Sequence, residues 1–434
     1  MERENSFGCF QNNGSEFVVT ERETPRALVN YSWNKKFISG VSQHGGGDGV
    51  YKERTLQYID QRGRNLMVKI GHRKLKSVPK LLIIFLFMHL VGIHLNAQPL
   101  STPNGERLKT LAAKHKLLIG GSSDLNHEDV IEEAIIKTEF NILTPENCLK
   151  PYKTQPKENA FNFNYTDNFV KFCKTNNINV HGHMLIGRDS YMPKWMLNTD
   201  LTGLQLKEIL INHIKTVMGR YKKGSPYGEI KFWDVFNEVN YFQKEPYHSV
   251  FEKTGKNSDG DFLYWEIAFK TARETDPDCI LIWNEDNIEY DEAKAEQLYQ
   301  SIKRLKAKGI PIDAVGFQCH IGWQGDTTNI PSKEHLTKTF QKFADLGLYI
   351  VISEMDVPDN LNCGDIYERI MSVALAQPKC IIYQTWNVLD NHSWRKKENT
   401  GMILFDEKHN AKSTYYSVQK VLKETPRNKD RKIP

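Results

Sequence analysis

From Leu108 onward, short apolar runs alternate with amphipathic stretches, and this alternation constrains the fold more than any other feature of the chain. The runs are Leu117–Gly121, Phe140–Thr144, Val180–Leu185, Lys231–Phe236, Ile280–Trp283, Ala314–Gln318, Tyr349–Ser353 and Ile381–Trp386. Each is strand-sized and rich in Ile, Val, Phe or Leu, as expected of strands covered on both faces. Between them, apolar residues recur at helical spacing. Examples are Glu128–Glu139, Leu204–Tyr221, Trp265–Thr275, Asp291–Lys308, Glu334–Leu346 and Asp365–Ala376, and Tyr415–Glu424 closes the series. Strands separated by crossover helices predict an α/β fold with a parallel sheet. Eight such units in one stretch predict closure into a (β/α)8 TIM barrel. An open, doubly wound sheet is the alternative at this stage. It is weakened because no GxGxxG or phosphate-binding loop follows any of the runs.

The preceding residues follow no such pattern. Residues 1–66 are rich in Gly, Asn, Glu and Arg, include Gly45-Gly46-Gly47, and read as disordered. Met67 is followed by Lys69, Arg73, Lys74, Lys76 and Lys80, then by the apolar run Leu81–Leu95, then by Asn96, Ala97 and Gln98. A basic segment, a short apolar core and a small residue at the cut make a secretory signal. The run is short for a spanning helix, which needs about 20 residues. The division expected is therefore 1–66 as an extension upstream of the true start, 67–97 as the signal, and 98–434 as the barrel. The product would be secreted or exported to the periplasm or cell surface, without stable membrane insertion after cleavage. A signal anchor with a cytoplasmic tail is the competing reading.

A formal charge of +5 spread without a long basic run leaves no nucleic-acid footprint. The seven cysteines (Cys9, Cys148, Cys173, Cys279, Cys319, Cys363 and Cys380) form no CxxC pair and no zinc pattern with His. They read as buried thiols. No cofactor and no metal are expected, and the chain reads as a monomer.

Chemistry gathers where the strands end, which in a barrel is the active face. The second strand is followed by Thr144-Pro145-Glu146-Asn147-Cys148-Leu149-Lys150, and the third carries His181-Gly182-His183. The fourth ends in Trp233-Asp234-Val235-Phe236-Asn237-Glu238 and the fifth in Asn284-Glu285-Asp286-Asn287. Gln318-Cys319-His320 ends the sixth, Ser353-Glu354-Met355-Asp356 the seventh, and Trp386, Asp390 and Trp394 follow the eighth. A single such residue is usually a surface group or a helix cap. So many strand ends delivering carboxylate, amide, imidazole or indole to one rim points to function. Strands four and seven lie across a barrel mouth from each other, so Glu238 and Glu354 can face one another over a bound chain. Glycoside hydrolysis needs that arrangement, one carboxyl to donate a proton and one to act at the anomeric carbon. Asn237 could hold a sugar hydroxyl. His320 and Asp356 could form a hydrogen-bonded chain that orients Glu354 and helps keep it ionised.

These segments resemble glycoside hydrolase family 10, the retaining endo-β-1,4-xylanases, from about Leu108 to Leu422. TPENCLK, WDVFNE, GIPIDAVGFQCHIG, SEMD and WNVLDNHSW carry the resemblance together. It implies xylan or xylo-oligosaccharide as substrate, Glu238 as acid/base and Glu354 as nucleophile, with the two carboxyls roughly 5–5.5 Å apart. It implies that Glu146, Asn147 and Lys150 contact the sugar one unit beyond the cleaved residue. His183, Asn237, Gln318 and His320 would surround the cleaved sugar, Trp386 and Trp394 would wall it, and Asp356 and Asn284 would support the site. The chain departs from the family at three places. The family's G-H-x-L-x-W-H is Gly182-His183-Met184-Leu185-Ile186-Gly187-Arg188, its N-D-Y-N is Asn284-Glu285-Asp286-Asn287, and its Gly after Trp386 is Asn387. Gly187 in place of an indole implies a wider pocket, partly refilled by Tyr191, Trp195 or the stem of Arg188. Two other functions compete: a related β-glycanase acting on another polysaccharide, and a catalytically weak glycan-binding surface protein. Retention of both Glu238 and Glu354 argues against the second.

Overall fold

The computed structural model describes residues 103–125, 129–239, 249–322, 329–395 and 402–434, and short strands within residues 8–59. The chain divides into two compact units, Met1–Asn96 and Ala97–Pro434. In the first, Gly8–Gln11 pairs antiparallel with Glu16–Val19, and Val29–Asn34, Phe37–Ser42, Gly46–Tyr51 and Arg54–Ile59 form a four-stranded antiparallel meander. Parts of the stretch expected to lack regular structure are therefore strand. The local reason is alternation too short to read as sustained: Val29, Tyr31 and Trp33 recur every second residue, and two-residue connections join the first strand of the meander to the second and the third to the fourth. Residues 67–97, the expected signal, lie outside the described residues. Among the described residues, no helix is long and apolar enough to cross a membrane.

The second unit is a closed (β/α)8 barrel. Its strands are β1 (Leu118–Ser122), β2 (Ile142–Thr144), β3 (Asn179–Gly182), β4 (Phe232–Asn237), β5 (Ile280–Glu285), β6 (Ala314–Phe317), β7 (Tyr349–Met355) and β8 (Cys380–Thr385). Every neighbouring pair is parallel, β8 pairs with β1, and the β3–β4 pairing closes the ring. The third run is in two pieces, because Ile186–Gly187 pairs again with β4 after a break at residues 183–185. Helix α1 (Leu108–Lys114) precedes β1. Then α2 (Val130–Glu139), α3 (Asn164–Thr175), α4 (Gly203–Arg220), α5 (Leu263–Thr275), α6 (Glu292–Ala307), α7 (Lys333–Asp345), α8 (Cys363–Ala376) and α9 (Ser413–Glu424) follow the eight strands in turn. Several begin where the sequence offers a cap. The Asp129, Asp291 and Ser332 side chains accept backbone N–H bonds in the first turns of α2, α6 and α7, and Thr202 with Gln205 makes a capping box on α4.

Two apolar layers result. The larger lies between the sheet and the helices. It takes outward strand residues such as Ile119, Trp233, Leu281, Trp283, Ile352 and Tyr383. The smaller lies inside the barrel and is built from Leu118, Ile142, Phe232, Ile282, Ala314, Val351 and Ile382. Two residues further along a strand the side chain returns to the same face. There the inward positions become Thr144, Asp234, Asn284, Ser353 and Gln384, each no more than 1% exposed. An apolar floor thus carries a polar layer, and the site stands on that layer.

Candidate active site

The polar layer is held together by charge. Asp234 accepts from Nε2 of His181 at 2.8 Å and from Nδ1 of His183 at 2.9 Å. Nδ1 of His181 donates to Gln384 Oε1 at 2.9 Å, and the Gln384 amide donates to Thr144 Oγ1 at 2.8 Å. With an acceptor on each ring nitrogen, His181 is held protonated. Burial opposes that charge, but Asp234 outweighs it and raises the His181 pKa. Asp234 is itself held low: burial works against ionisation, and the two imidazoles overcome it.

Above this layer, amides connect the two glutamates. Asn284 Nδ2 donates to Glu354 Oε1 at 2.6 Å and to Asn237 Oδ1 at 2.8 Å, while Ser353 Oγ donates to Asn284 Oδ1 at 2.7 Å. Gly316 makes this geometry feasible. A Cβ there would come within 2.2 Å of Asn284 Oδ1, so the neighbouring strand must carry no side chain at that level. Asn237 Nδ2 and Gln318 Nε2 donate to Glu238 Oε1 at 3.1 and 2.9 Å. Glu238 follows a shift in register between Asp234 and Phe236 on β4. Its φ of +57° lies in the left-handed region, a strained conformation for glutamate that aims its carboxyl into the mouth.

The two carboxyls have different surroundings. Burial first, and Asp286 second, raise the Glu238 pKa against the pull of Arg188 and Gln318. Glu354 accepts from Asn284 and faces Nε2 of His320 at 3.3 Å across its other oxygen. Nδ1 of His320 donates to Asp356 at 2.9 Å. His320 thus lies between two carboxylates. Burial disfavours its charge, yet Asp356 and Glu354 push its pKa up to about 10. Asp356 also accepts from Trp394 Nε1 at 2.9 Å and from Arg395 Nη1 at 2.7 Å. The Trp394 ring stands 5.0 Å from the His320 ring and remains 43% exposed.

On the other flank, Lys150 Nζ donates to Asn147 Oδ1 at 3.1 Å, and Glu146 accepts from Asn387 Nδ2 at 2.8 Å. The Trp386 and His183 rings meet edge-on at 5.1 Å. Burial lowers the Lys150 pKa, with Glu354, Glu146 and Glu238 opposing. The two glutamates and the residues expected to contact sugar thus gather at the strand ends, whereas Asp390, also singled out after the eighth strand, pairs with Lys412 and accepts from the backbone N–H of Met402 and Ile403. Among the described residues, no cluster of His, Cys, Asp and Glu has the arrangement of a metal site. The six described cysteines are free and buried.

Several contributors were not singled out. Asp234 sits inside the WDVFNE motif, and its inward period marks it in retrospect. Asp124 accepts from the backbone N–H of Asn147 and Cys148 at 2.8 and 2.9 Å and so shapes that loop. Asn387 has φ of +83°, a conformation suited to glycine, and Asn tolerates it better than most residues. Its amide gains a bond to Glu146 that glycine could not make. Tyr191, one of the expected fillers, stands beside Gly187, and Met184 joins it. A Cβ there would lie 2.3 Å from Met184 Cε and 3.0 Å from Tyr191 Cδ2, so a thioether and a phenol ring crowd the root of any side chain at 187. Trp195 plays no part in this filling that the structure records; its Nε1 donates to Gln155 O at 3.0 Å.

Residues 107–421 match the model of the family described as glycosyl hydrolase family 10. Endo-1,4-beta-xylanase B of Thermotoga neapolitana is 33% identical over 333 residues, covering 73% of this chain and 92% of that protein. The crystal structure of xylanase 10B from Thermotoga petrophila in complex with xylobiose is similar at TM-score 0.66 and 33% identity, covering 75% of this chain and 99% of that one. A mutant of xylanase 10C from Cellvibrio japonicus in complex with xylopentaose also has a TM-score of 0.66, at 28% identity, covering 74% of this chain and 70% of that one.

Proposed function

The chain belongs to glycosyl hydrolase family 10, and from that premise we infer that it is an endo-1,4-β-xylanase in which Glu354 is the nucleophile and Glu238 the acid/base. The observation that carries the assignment of roles is the contrast between two buried carboxyls joined through the amides of Asn284 and Asn237. Glu354 accepts from Asn284 and faces His320, whose pKa its two carboxylate neighbours push up to about 10. Glu238 is desolvated and has Asp286 near it, which favours the protonated acid. In the first step Glu354 attacks the anomeric carbon, Glu238 passes its proton to the departing oxygen, and a glycosyl ester forms. In the second, Glu238 takes a proton from water, whose oxygen displaces Glu354, and the configuration is retained. Asn237, bonded to both Asn284 and Glu238, is placed to meet the 2-hydroxyl of the cleaved sugar, a contact that strengthens as charge develops. Glu146, Asn147 and Lys150 would meet the next sugar.

Unbranched xylan, mixed-linkage glucan and mannan assayed side by side for new reducing ends test the substrate. NMR of the first anomer released tests the stereochemistry. Hydrolysis of xylan with retention is expected, and Glu354→Gln should abolish it. An inverted product, or activity confined to the other glycans, would refute the reading. We further propose that the segment 67–97 directs export with cleavage after Ala97. N-terminal sequencing of the secreted product tests this, and a chain that begins before Met67 and stays in the membrane would refute it.

A further inference from the structure

A second aromatic surface lies at the opposite end of the barrel from the two glutamates. Tyr227 is 43% exposed and lines a cavity of about 430 Å³ together with Phe163, Gly219, Arg220, Lys222 and Gly224. The connection that carries Tyr227 joins α4 to β4 and so lies where the strands begin. Glu238 follows the other end of β4, with about 20 Å of extended chain between. The steps of hydrolysis use no group in this connection.

The Tyr227 ring is backed by a fixed support. The Arg220 guanidinium lies over it, with Cζ 3.6 Å from the ring centre, and over the Phe163 ring at 4.7 Å. Arg220 is in turn held by Asp167 in a two-pronged contact, Nε to Oδ1 at 2.8 Å and Nη2 to Oδ2 at 2.6 Å. Tyr221 Oη donates to the same carboxylate at 2.8 Å. The loop itself is tied down, because Ser225 Oγ donates to the Arg220 carbonyl and accepts from the Tyr227 N–H at 3.2 Å. An exposed ring is thus set in one orientation before any ligand arrives, which lowers the entropy lost on binding. Two of the lining residues leave the cavity open. A Cβ at Gly224 would meet nothing within 4 Å, and one at Gly219 only Thr275 Cγ2 at 3.8 Å. The volume is in the range of small-molecule sites.

The chemistry of the lining selects among ligands that stack. Of the cations there, Arg220 is paired with Asp167 and Lys223 with Asp278 at 3.1 Å, so the surface is not laid out for a polyanion. A β-linked pyranose carries axial C–H bonds on its faces and hydroxyls around its edge. The first suit the Tyr227 ring, and the second suit donors such as Lys222. On the xylanase reading given above, we propose that this cavity is a second glycan-binding site, in which Tyr227 stacks on a xylose unit of the polymer outside the stretch held in the mouth. The site tethers the enzyme to its substrate and raises the concentration of chain that the mouth meets.

The test blocks the mouth and asks whether polymer still binds. A 2-fluoro-xylobioside with a dinitrophenolate leaving group loses that group to Glu354 and leaves a slowly hydrolysed ester. The protein so trapped should be retarded in a native gel that contains soluble xylan. Tyr227→Ala should weaken this binding about tenfold, and Tyr227→Phe should keep it. Gly219→Phe, which fills the cavity and leaves Tyr227 in place, should weaken it as well; melting curves identify which variants are folded. On xylotetraose kcat/KM should stay within about twofold of the wild type in each variant, while the rate on insoluble xylan falls about three- to tenfold in Tyr227→Ala and Gly219→Phe. Trapped wild type that runs unretarded overturns the proposal, as does equal retardation of folded Gly219→Phe or equal retardation in a gel of mixed-linkage glucan. A wild type that neither cleaves xylotetraose nor forms the ester would instead overturn the xylanase reading.

Discussion

Replacing Gly187 by Trp restores the family's indole and should nevertheless damage this protein. The space is taken. A Cβ at 187 would sit 2.3 Å from Met184 Cε, 3.1 Å from Met184 Sδ and 3.0 Å from Tyr191 Cδ2, and Met184 is fully buried. The end of a methionine can swing aside, so Gly187→Ala should cost about 1 kcal/mol, the low end for overpacking. An indole needs the room of both neighbours and should cost about 3 kcal/mol, lowering Tm by about 5 °C for a barrel of this size. Moving Tyr191 also removes the phenol that Arg188 bonds and stacks on. The acid/base would lose its ionic partner's fixed position, and kcat/KM on linear xylo-oligosaccharides should fall about 10- to 100-fold. Differential scanning calorimetry and initial rates on linear and decorated substrates measure both effects. In Gly187→Trp/Met184→Ala the vacated thioether volume should return most of the lost Tm. A single Gly187→Trp variant with unchanged Tm and raised kcat/KM on linear substrate would refute the reasoning, because the pocket would then be open.

Gly316→Ala should displace the Asn284 amide, whose Oδ1 would lie 2.2 Å from the new Cβ, and lower kcat about 100-fold; rates at saturating substrate, beside a melting curve that confirms folding, check it. Asp356→Asn removes the counter-ion of both His320 and Arg395 and should cost about 3–5 kcal/mol, read by denaturant unfolding. The His320 pKa, about 10 in the fold against 6.5 ordinarily, is a raised one, so its stabilisation is complete below 6.5 and fades as pH climbs through about 10. In Asp356→Asn the folded pKa falls, so that alkaline loss should be smaller and end at lower pH, which Tm measured across pH 5–10 would show. Asn387→Gly suits φ of +83° but breaks the bond to Glu146, so Tm should stay within about 2 °C while KM rises several-fold at unchanged kcat.

The barrel was legible because its strands are buried on both faces. Runs such as Ile280–Trp283 and Tyr349–Ser353 show that as unbroken apolar stretches, and the chemistry then had to collect at their C-terminal ends. Glu238, Glu354 and their amides were legible for the same reason, since each ends a strand. What escaped depends on contacts distant in sequence. That Met184 would fill the space above Gly187 follows from how the chain breaks between the two pieces of the third strand, and no period encodes that. Asn387 looked like a loss of glycine, and only its φ and its bond to Glu146 turn it into a substitution with a gain. Arg188 looked like a lost histidine until its distance to Glu238 was known. The strands of the first unit escaped because each alternating stretch is only six residues or fewer.

The layering inside the barrel also determines the route of protons. Beneath Asp234, Asn284 and Gln384 lies a seal of Leu118, Phe232, Ile282, Val351 and Ile382, side chains that can neither donate nor accept a proton. No relay crosses such a layer, so traffic between the two glutamates and bulk water runs through the same opening that admits the sugar. The face that receives the sugar is therefore also the face from which Glu238 regains its proton.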